Sequence, residues 1–368
     1  MTIGITGATG FLGAALLSFL HEGSLGHTRI VPFSARRVGN PLTDHLRLRY
    51  EHLDITSRDE VMEKTRGIDI LYHLAGAVDY SRRGRVRTWD VNVLGTKNVL
   101  DAAAVNGVGR LVCVSSICVL GVPPAQHMLG DETNDRYAPG RNPISFPECE
   151  AALQAVDASV HGDYGFAARM RVPYFDSKLA AFELTMRQAR GNAQNVVVVM
   201  PGTAVGAGDV GFSIGGLVQR IYDGRLHVTL PGGTSFVSAP DVARGMHLAA
   251  ERGRAGEAYI LTGAESDNLR YRDFMHLVAR VARESFGRRC FDRFLVVPAP
   301  AARLVARIAE SFSSRAVLQE GLAIAGGLTH RFSCRKATRE LGYMPKVPLE
   351  QSVRACIEFH LRAGGRNA

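Results

Sequence analysis

Ten tyrosines and five lysines occur in 368 residues, and only Tyr174 and Lys178 stand four apart in the order tyrosine then lysine. Four residues is about one helical turn, so a helix opening at Pro173 and running through Arg190 sets the phenol and the ammonium on one face. A titratable hydroxyl beside a cation has the ingredients of proton transfer. A second set of hydroxyls, Ser115-Ser116, follows the strand-like run Arg110-Leu-Val-Cys-Val114. The carboxyl end of a parallel strand is where open α/β sheets take their ligands, although a serine pair in a loop is commonplace.

These groups need a partner, and the start of the chain offers one. Thr6 to Gly13 reads TGATGFLG, between a short strand at Thr2–Ile5 and a helix over Ala14–Leu20. Gly7 permits a tight turn, Gly10 lets backbone N–H groups approach a pyrophosphate, and Gly13 lets helix and strand pack closely. The helix N-terminus adds unpaired donors and the positive end of a dipole. A packed turn without ligand is the plainer alternative. The next strand, Arg29-Ile-Val-Pro-Phe-Ser34, ends in Ser34-Ala35-Arg36-Arg37. A NAD-binding fold usually places a carboxylate there for the ribose 2′-hydroxyl. Its absence removes the repulsion of a 2′-phosphate, and an arginine fork can hold one. NADP (NADPH) is therefore the expected cofactor, with NAD the alternative and Arg36 the first candidate; the arginines could equally begin a solvated loop.

Composition limits the other possibilities. Apolar residues make up 46% and charged residues 21%, an ordinary globular balance. The net charge of +9 comes mostly from scattered arginines, which suits a solvated surface better than a nucleic-acid groove. The six cysteines form no C-x-x-C pair and the histidines no H-x-x-x-H spacing, so neither a metal site nor a disulfide framework is expected. No window reaches the 18 or so apolar residues of a membrane span, and the N-terminus lacks a basic leader, so we expect a cytoplasmic protein with no membrane partner.

The remaining segments read as alternating strands and helices. Leu46-Arg-Leu-Arg-Tyr50 alternates like a third strand, followed by Asp54-Ile55, where Asp54 could meet the adenine amino group or cap the next helix. Asp69–Leu74 is a buried-looking strand that ends in Ala75-Gly76-Ala77, small enough for a nucleotide to lie over. Ser81-Arg82-Arg83-Gly84-Arg85-Val86-Arg87 is the only dense basic run. Bordering a cleft it could steer an anionic or carrier-bound substrate; otherwise it is a solvated helix entry. Trp89–Ala104 is helical in spacing, with Gly95 suggesting close packing. Residues 122–173 form a long insertion, helix-like from Glu148 to about His161 and a candidate lid or pocket wall. Asn195–Met200 gives a sixth strand before Pro201-Gly202. Helix-like 217–223, strand-like 226–230 and 235–238, a helix at Asp241–Arg252 and a strand at Glu257–Leu261 follow. Residues 263–368 are mainly helical, with an apolar, proline-broken part from Phe294 to Ala309.

Taken in order, TGATGFLG, HLAG (73–76), NVLGTKNVLDAA (92–103), VSS (114–116), YFDSK (174–178) and PG (201–202) resemble the successive motifs of the extended short-chain dehydrogenase/reductase family. FVSAPDVARGMHLAAERGRAGEAYILTG (236–263) and LGYMPKVPLEQSV (341–353) are similar to its dihydroflavonol-reductase-like and 3-beta-hydroxysteroid-dehydrogenase-like branch. The resemblance implies an α/β, Rossmann-type doubly wound parallel sheet with a smaller, mostly helical C-terminal substrate lobe. We expect residues 1–200 plus about 236–262 in the NADP-binding domain, and about 201–235 plus 263–368 in the lobe.

The same resemblance assigns roles. Tyr174 would exchange a proton with the substrate oxygen, Lys178 together with the oxidised nicotinamide would lower the phenol's pKa, and Lys178 would also hold the nicotinamide ribose. Ser116, five residues before Gly121, would hydrogen-bond the carbonyl oxygen in preference to Ser115. Gly7, Thr9, Gly10, Phe11, Leu12, Gly13, Arg36, Asp54, Ile55, Leu74, Ala75, Gly76, Pro201 and Gly202 would line the cofactor with Tyr174 and Lys178. Asn92 would organise the proton relay or simply hold structure. Family members are often dimers, so a homodimer is implied. Two departures stand out: Tyr174 lies 58 residues after Ser116, an unusually long interval, and HLAG is a variant form.

The leading expectation is a ketone reductase, or the reverse alcohol dehydrogenase, acting on a mostly apolar or acyl-type molecule. A nucleotide-sugar epimerase keeps NAD bound, which Arg36 disfavours; a dehydratase normally has an acid where Ile117 stands. A non-catalytic cofactor sensor on the same fold would tend to lose the tyrosine-lysine pair, and a serine hydrolase would want G-x-S-x-G.

Overall fold

The computed structural model describes residues 1–23, 28–36, 39–124, 128–134, 170–191, 194–210, 214–312 and 319–364. Arg37 and the helix expected over Glu148–His161 lie outside the described residues.

Seven parallel strands form the main sheet: β1 (Thr2–Thr6), β2 (Arg29–Ser34), β3 (Glu51–His52), β4 (Ile70–His73), β5 (Arg110–Val114), β6 (Val196–Pro201) and β10 (Ala258–Leu261). Their spatial order is β10-β6-β5-β4-β1-β2-β3. The chain leaves β1 toward β2 and β3, then returns to β4 on the other side. This reversal opens a crevice at the carboxyl ends of β1 and β4, the place where doubly wound sheets bind dinucleotides.

The strands are buried on both faces, which is why they read as nearly continuous apolar runs. Along β6, Val196 and Val198 join one core with α2 (Arg58–Lys64), α4 (Gly95–Val105) and α5 (Pro173–Gly191). Val197 and Val199 join the opposite core with α1 (Phe11–Glu22) and α7 (Ala239–Arg252). Pro32 sits within β2, but β3 pairs only with Phe33 and Ser34, so Pro32 has a ladder partner on one side alone.

The third strand lies later than its alternation suggests. Pro41–Leu46 forms a 3-10 helix capped by the Asn40 side chain, and Arg47 follows in the left-handed conformation at φ 49°. That reversal prevents Leu46–Tyr50 from extending, and pairing begins at Glu51.

α3 (Arg85–Trp89) runs through a π-helical turn at Asp90–Leu94 into α4. A methyl group on Gly95 would stand 2.6 Å from Ile55 Cδ1, so the glycine gives α4 its close seat on that side chain.

The smaller lobe is mainly helical but centres on a second sheet. β9 (Gly233–Ser238) pairs with β7 (Thr203–Val205), β11 (Asn268–Arg270) and β13 (Thr329–His330). Around it pack α6 (Ile214–Tyr222), α8 (Tyr271–Phe286) and α12 (Leu349–Gly364) over Phe236, Phe274 and Ile357. β8 (Val228–Thr229) and β12 (Leu295–Val296) make a two-stranded ribbon, followed by α9 (Ala299–Phe312), α10 (Glu320–Gly327) and α11 (Arg335–Leu341). No helix among the described residues is long and apolar enough to cross a membrane.

Candidate active site

The glycine turn is built by backbone closeness. Gly7 has φ 69°, and a methyl group on it would stand 2.6 Å from the Ala75 nitrogen; one on Gly13 would stand 2.3 Å from the Gly7 carbonyl oxygen. β1, β4 and the start of α1 therefore approach as only bare Cα atoms allow. Gly10 caps α1, whose first turn holds no acidic residue, and Phe11, Leu12 and Gly13 open the helix with N–H groups that have no intrahelical acceptor. This is the cradle expected of an anion site, and it fits a pyrophosphate.

The end of β2 shows what replaces the usual carboxylate. Ser34 Oγ lies 2.8 Å from Thr9 Oγ1 and accepts from the Arg36 N–H at 3.0 Å, leaving the Arg36 side chain exposed at the strand end. Asn40 donates to the carbonyls of Thr9 and Gly208, tying the glycine loop to the small lobe. As an isolated asparagine in a loop, it carried no sequence signal.

Asp54 accepts from the Thr56 N–H and hydroxyl, both on Oδ1, while Ser57 caps α2. Ile55 turns its side chain into the core, and its carbonyl accepts from Asn98, so the residue is committed to packing. Leu74 and Ala75 extend β4 and donate from their N–H groups to Thr6. Gly76 leaves room for Asn92 Oδ1 and Lys178 Nζ, each 3.3 Å from where a methyl group would stand. Pro201 ends β6, and Gly202 N–H donates to Leu261, with the Ser235 carbonyl closed over its Cα.

Asp176 sets the start of α5, its Oδ2 accepting from the N–H groups of Arg171 and Val172. Asn92, in the π turn, exchanges bonds with Ala77 and donates to Ser177 Oγ, which in turn donates to the Tyr174 carbonyl. π turns recur at functional sites, and here the extra residue aims Asn92 at both the crevice floor and the helix that carries Tyr174.

Ser116 stands close enough to the Tyr174 side chain to act on its phenol. Ser116 also caps a 3-10 turn by accepting from Cys118 N–H, which orients its hydroxyl. The Ser115 hydroxyl is buried without a hydrogen-bond partner.

Burial raises the Tyr174 phenol well above its ordinary value, with the nearby Cys118 adding to the shift and Ser116 opposing it. The Lys178 ammonium donates to the Val114 carbonyl at 3.1 Å, and burial lowers its own pKa against the opposing pull of Cys118 and Cys113. The phenol is thus held as an acid.

Beneath the crevice, His73 of the HLAG motif bridges Thr6 and Thr96. Thr96 donates to the Asn92 carbonyl, so it accepts from His73 Nε2–H, and His73 Nδ1 accepts from Thr6. Burial, with help from Lys178, pushes the ring's pKa down to about 3, so it is neutral.

A further aromatic went unread in the sequence. The Tyr80 ring lies 5.6 Å from Tyr174 and 6.0 Å from Phe175, and its phenol is raised by burial and by Tyr174, Cys118 and Tyr271. Among the described residues no group of His, Cys, Asp and Glu could hold a metal ion, and the five cysteines they include are free.

A sheet that reverses over a glycine turn, with tyrosine, lysine and serine gathered beside it, defines a dinucleotide-dependent short-chain dehydrogenase/reductase of the extended type. The chain belongs to the NAD dependent epimerase/dehydratase family, whose model matches residues 3–145 and 152–261.

It is 30% identical over 366 residues to the 4-hydroxy-2-methyl-3-oxo-4-farnesyl-3,4-dihydroquinoline-1-oxide ketoreductase of Stigmatella aurantiaca, covering 95% of this chain and 94% of the relative. It is 26% identical to a 3-beta-hydroxysteroid dehydrogenase of Mycolicibacterium neoaurum, covering 97% and 90%. The dTDP-glucose 4,6-dehydratase from Streptomyces venezuelae, solved with NAD and TYD bound, shares the fold at a TM-score of 0.72 and 21% identity, covering 99% of this chain and 98% of that one. The protein is an enzyme, an NAD(P)-dependent oxidoreductase.

Proposed function

We propose that the enzyme is an NADPH-dependent ketone reductase, reversible as a secondary-alcohol dehydrogenase, for a mostly apolar or acyl-type small molecule. The observation that carries this reading is the gathering of Tyr174, Lys178 and Ser116 beside the end of β5, with Lys178 donating to the Val114 carbonyl and Asn92 and Ser177 bracing the turn of α5 that bears Tyr174. Two converging hydroxyls can both donate to one carbonyl oxygen. The bound nicotinamide supplies the hydride. As the carbonyl carbon gains it, Tyr174 passes its proton to the oxygen to complete the alcohol, and Ser116 stabilises the phenolate left behind. Lys178, one turn along α5, holds the ribose and keeps positive charge near that phenolate.

The glycine cradle would hold the pyrophosphate. Ser34 and the exposed Arg36 at the end of β2 support a preference for the 2′-phosphate. The relatives named as acting on a farnesylated quinoline and on a steroid support an apolar substrate.

The test is consumption of NADPH or NADH with a panel of apolar ketones, followed by absorbance of the reduced cofactor. NADPH consumption is expected. Consumption of neither, with tightly retained NAD, would instead indicate an epimerase. Replacing Arg36 by Ala should raise the KM for NADPH about tenfold and leave NADH unchanged, because only the former loses a charge-assisted pair; equal effects on both would remove the preference.

A further inference from the structure

Helix α9 divides into three faces. Ala302 and Ala306 are buried with Ala323 of α10, against Leu230 and Val297. On one flank Arg303 and Arg307 reach the buried carboxylate of Glu320, at 2.8 and 3.9 Å. The third face presents Leu304, Val305, Ile308 and Phe312, with exposures of 61, 57, 53 and 88%. Their spacing makes one apolar strip more than two turns long. Just upstream, Leu295 of β12 is exposed and pairs with exposed Val228 of β8, and Phe291 is exposed as well. A run of exposed apolar side chains along one helix face marks an interaction site.

The strip has a cationic border. Arg82 donates to the same Glu320 at 2.9 Å, which brings the basic run beside α9. Burial would raise the Glu320 carboxyl, but bonds from Arg303 and Arg82 outweigh it and hold the group below its ordinary value. One carboxylate therefore faces three arginines, while Arg83 and Arg87 of the run and Arg288, Arg289 and Arg293 ahead of α9 are also exposed. Asp292 lies 3.6 Å from Arg283, and Glu310 is the acid on α9 itself. A second copy seated on this face about a two-fold axis would press cation against cation. An anionic lipid surface meets both features at once.

We propose that α9 docks the enzyme on an anionic phospholipid bilayer. Leu304, Val305, Ile308 and Phe312 enter the boundary between headgroups and acyl chains, and the bordering arginines meet lipid phosphates. The expectation of no membrane partner rested on the absence of a spanning segment, whereas this contact is interfacial. The helix beneath α9 is linked to the site, since Gly321 of α10 lies directly on the Tyr80 carbonyl and the Tyr80 ring stands beside Tyr174.

The experiment is cosedimentation of the whole protein with vesicles of equal parts phosphatidylglycerol and phosphatidylcholine, and with phosphatidylcholine alone. Binding to the anionic vesicles only, weakened by high salt, is expected. The double variants I308S/F312S and R83E/R87E should each bind about tenfold more weakly while melting like the parent, since the altered side chains are exposed. Equal binding to neutral vesicles, or none to either, overturns the proposal. So does concentration-dependent dimerisation in sedimentation velocity that I308S/F312S abolishes, because the strip would then serve a second copy.

Discussion

The floor of the crevice and the outer face of α9 are both surfaces shaped for a ligand, yet they are made in opposite ways. The crevice is made by leaving atoms out: Gly7, Gly13 and Gly76 let β1, β4, α1 and Lys178 come together, and a single methyl group on Gly7 or Gly13 would collide with backbone. The face of α9 is made by adding atoms: large apolar side chains stand in water above a helix seated on alanines. The first kind of surface ties residue identity to backbone geometry and tolerates almost no change. The second depends on area and charge, and most of its residues are replaceable one at a time.

The sharpest break of that contrast is at the chemistry itself. Replacing Tyr174 by Phe removes the proton donor while keeping the ring, so turnover should fall about a thousandfold, with NADPH affinity by fluorescence titration nearly unchanged. Full activity would remove the role given to the phenol. Next in size is Gly13→Ala, whose methyl group would stand 2.3 Å from one backbone atom and 2.9 Å from another. It should cost about 3 kcal/mol in urea unfolding and abolish NADPH binding. Retained binding would show that the cradle can yield as the α9 face can.

The third prediction concerns pH. Burial pushes His73 down to about 3 and His330 down to about 4. Both stay neutral in the folded protein while the unfolded chain protonates them below about 6.5, so the unfolded state binds more protons and stability falls as pH falls from 6.5 toward 4. Each ring contributes a slope approaching about 1.4 kcal/mol per pH unit. Urea midpoints at neutral and mildly acidic pH should therefore separate, and His73→Gln should narrow the separation. A parent midpoint that does not move would contradict the buried, neutral ring.

The same contrast accounts for what could be read in the chain beforehand. Strands such as β1, β2, β5 and β6 are legible because burial on both faces demands unbroken apolar runs, and the glycine turn because its residues have few substitutes. Leu46–Tyr50 misled because alternation is indifferent to Arg47, whose left-handed backbone breaks the extension. β7 was too short to stand out from a glycine-rich loop. The pairing of Tyr174 with Ser116 follows from the order of elements, but the direction of the phenol's shift does not, because it depends on how deeply the ring is covered and where the Lys178 ammonium turns. Tyr80 and Asn40 carry no local pattern at all. The strip on α9 was visible as apolar residues, but which side of the helix faced outward was decided by Ala302 and Ala306 packing on α10.

The π turn at Asp90–Leu94 leaves the enzyme with an unusual genetic vulnerability. Deleting one residue there would let the helix wind regularly and remove the widened turn from which Asn92 projects, while the segments on either side keep their facing. Asn92 could not then reach Ala77 and Ser177 together. An in-frame codon loss in an otherwise ordinary helix would silence the tyrosine from a distance while leaving every residue of the catalytic set intact.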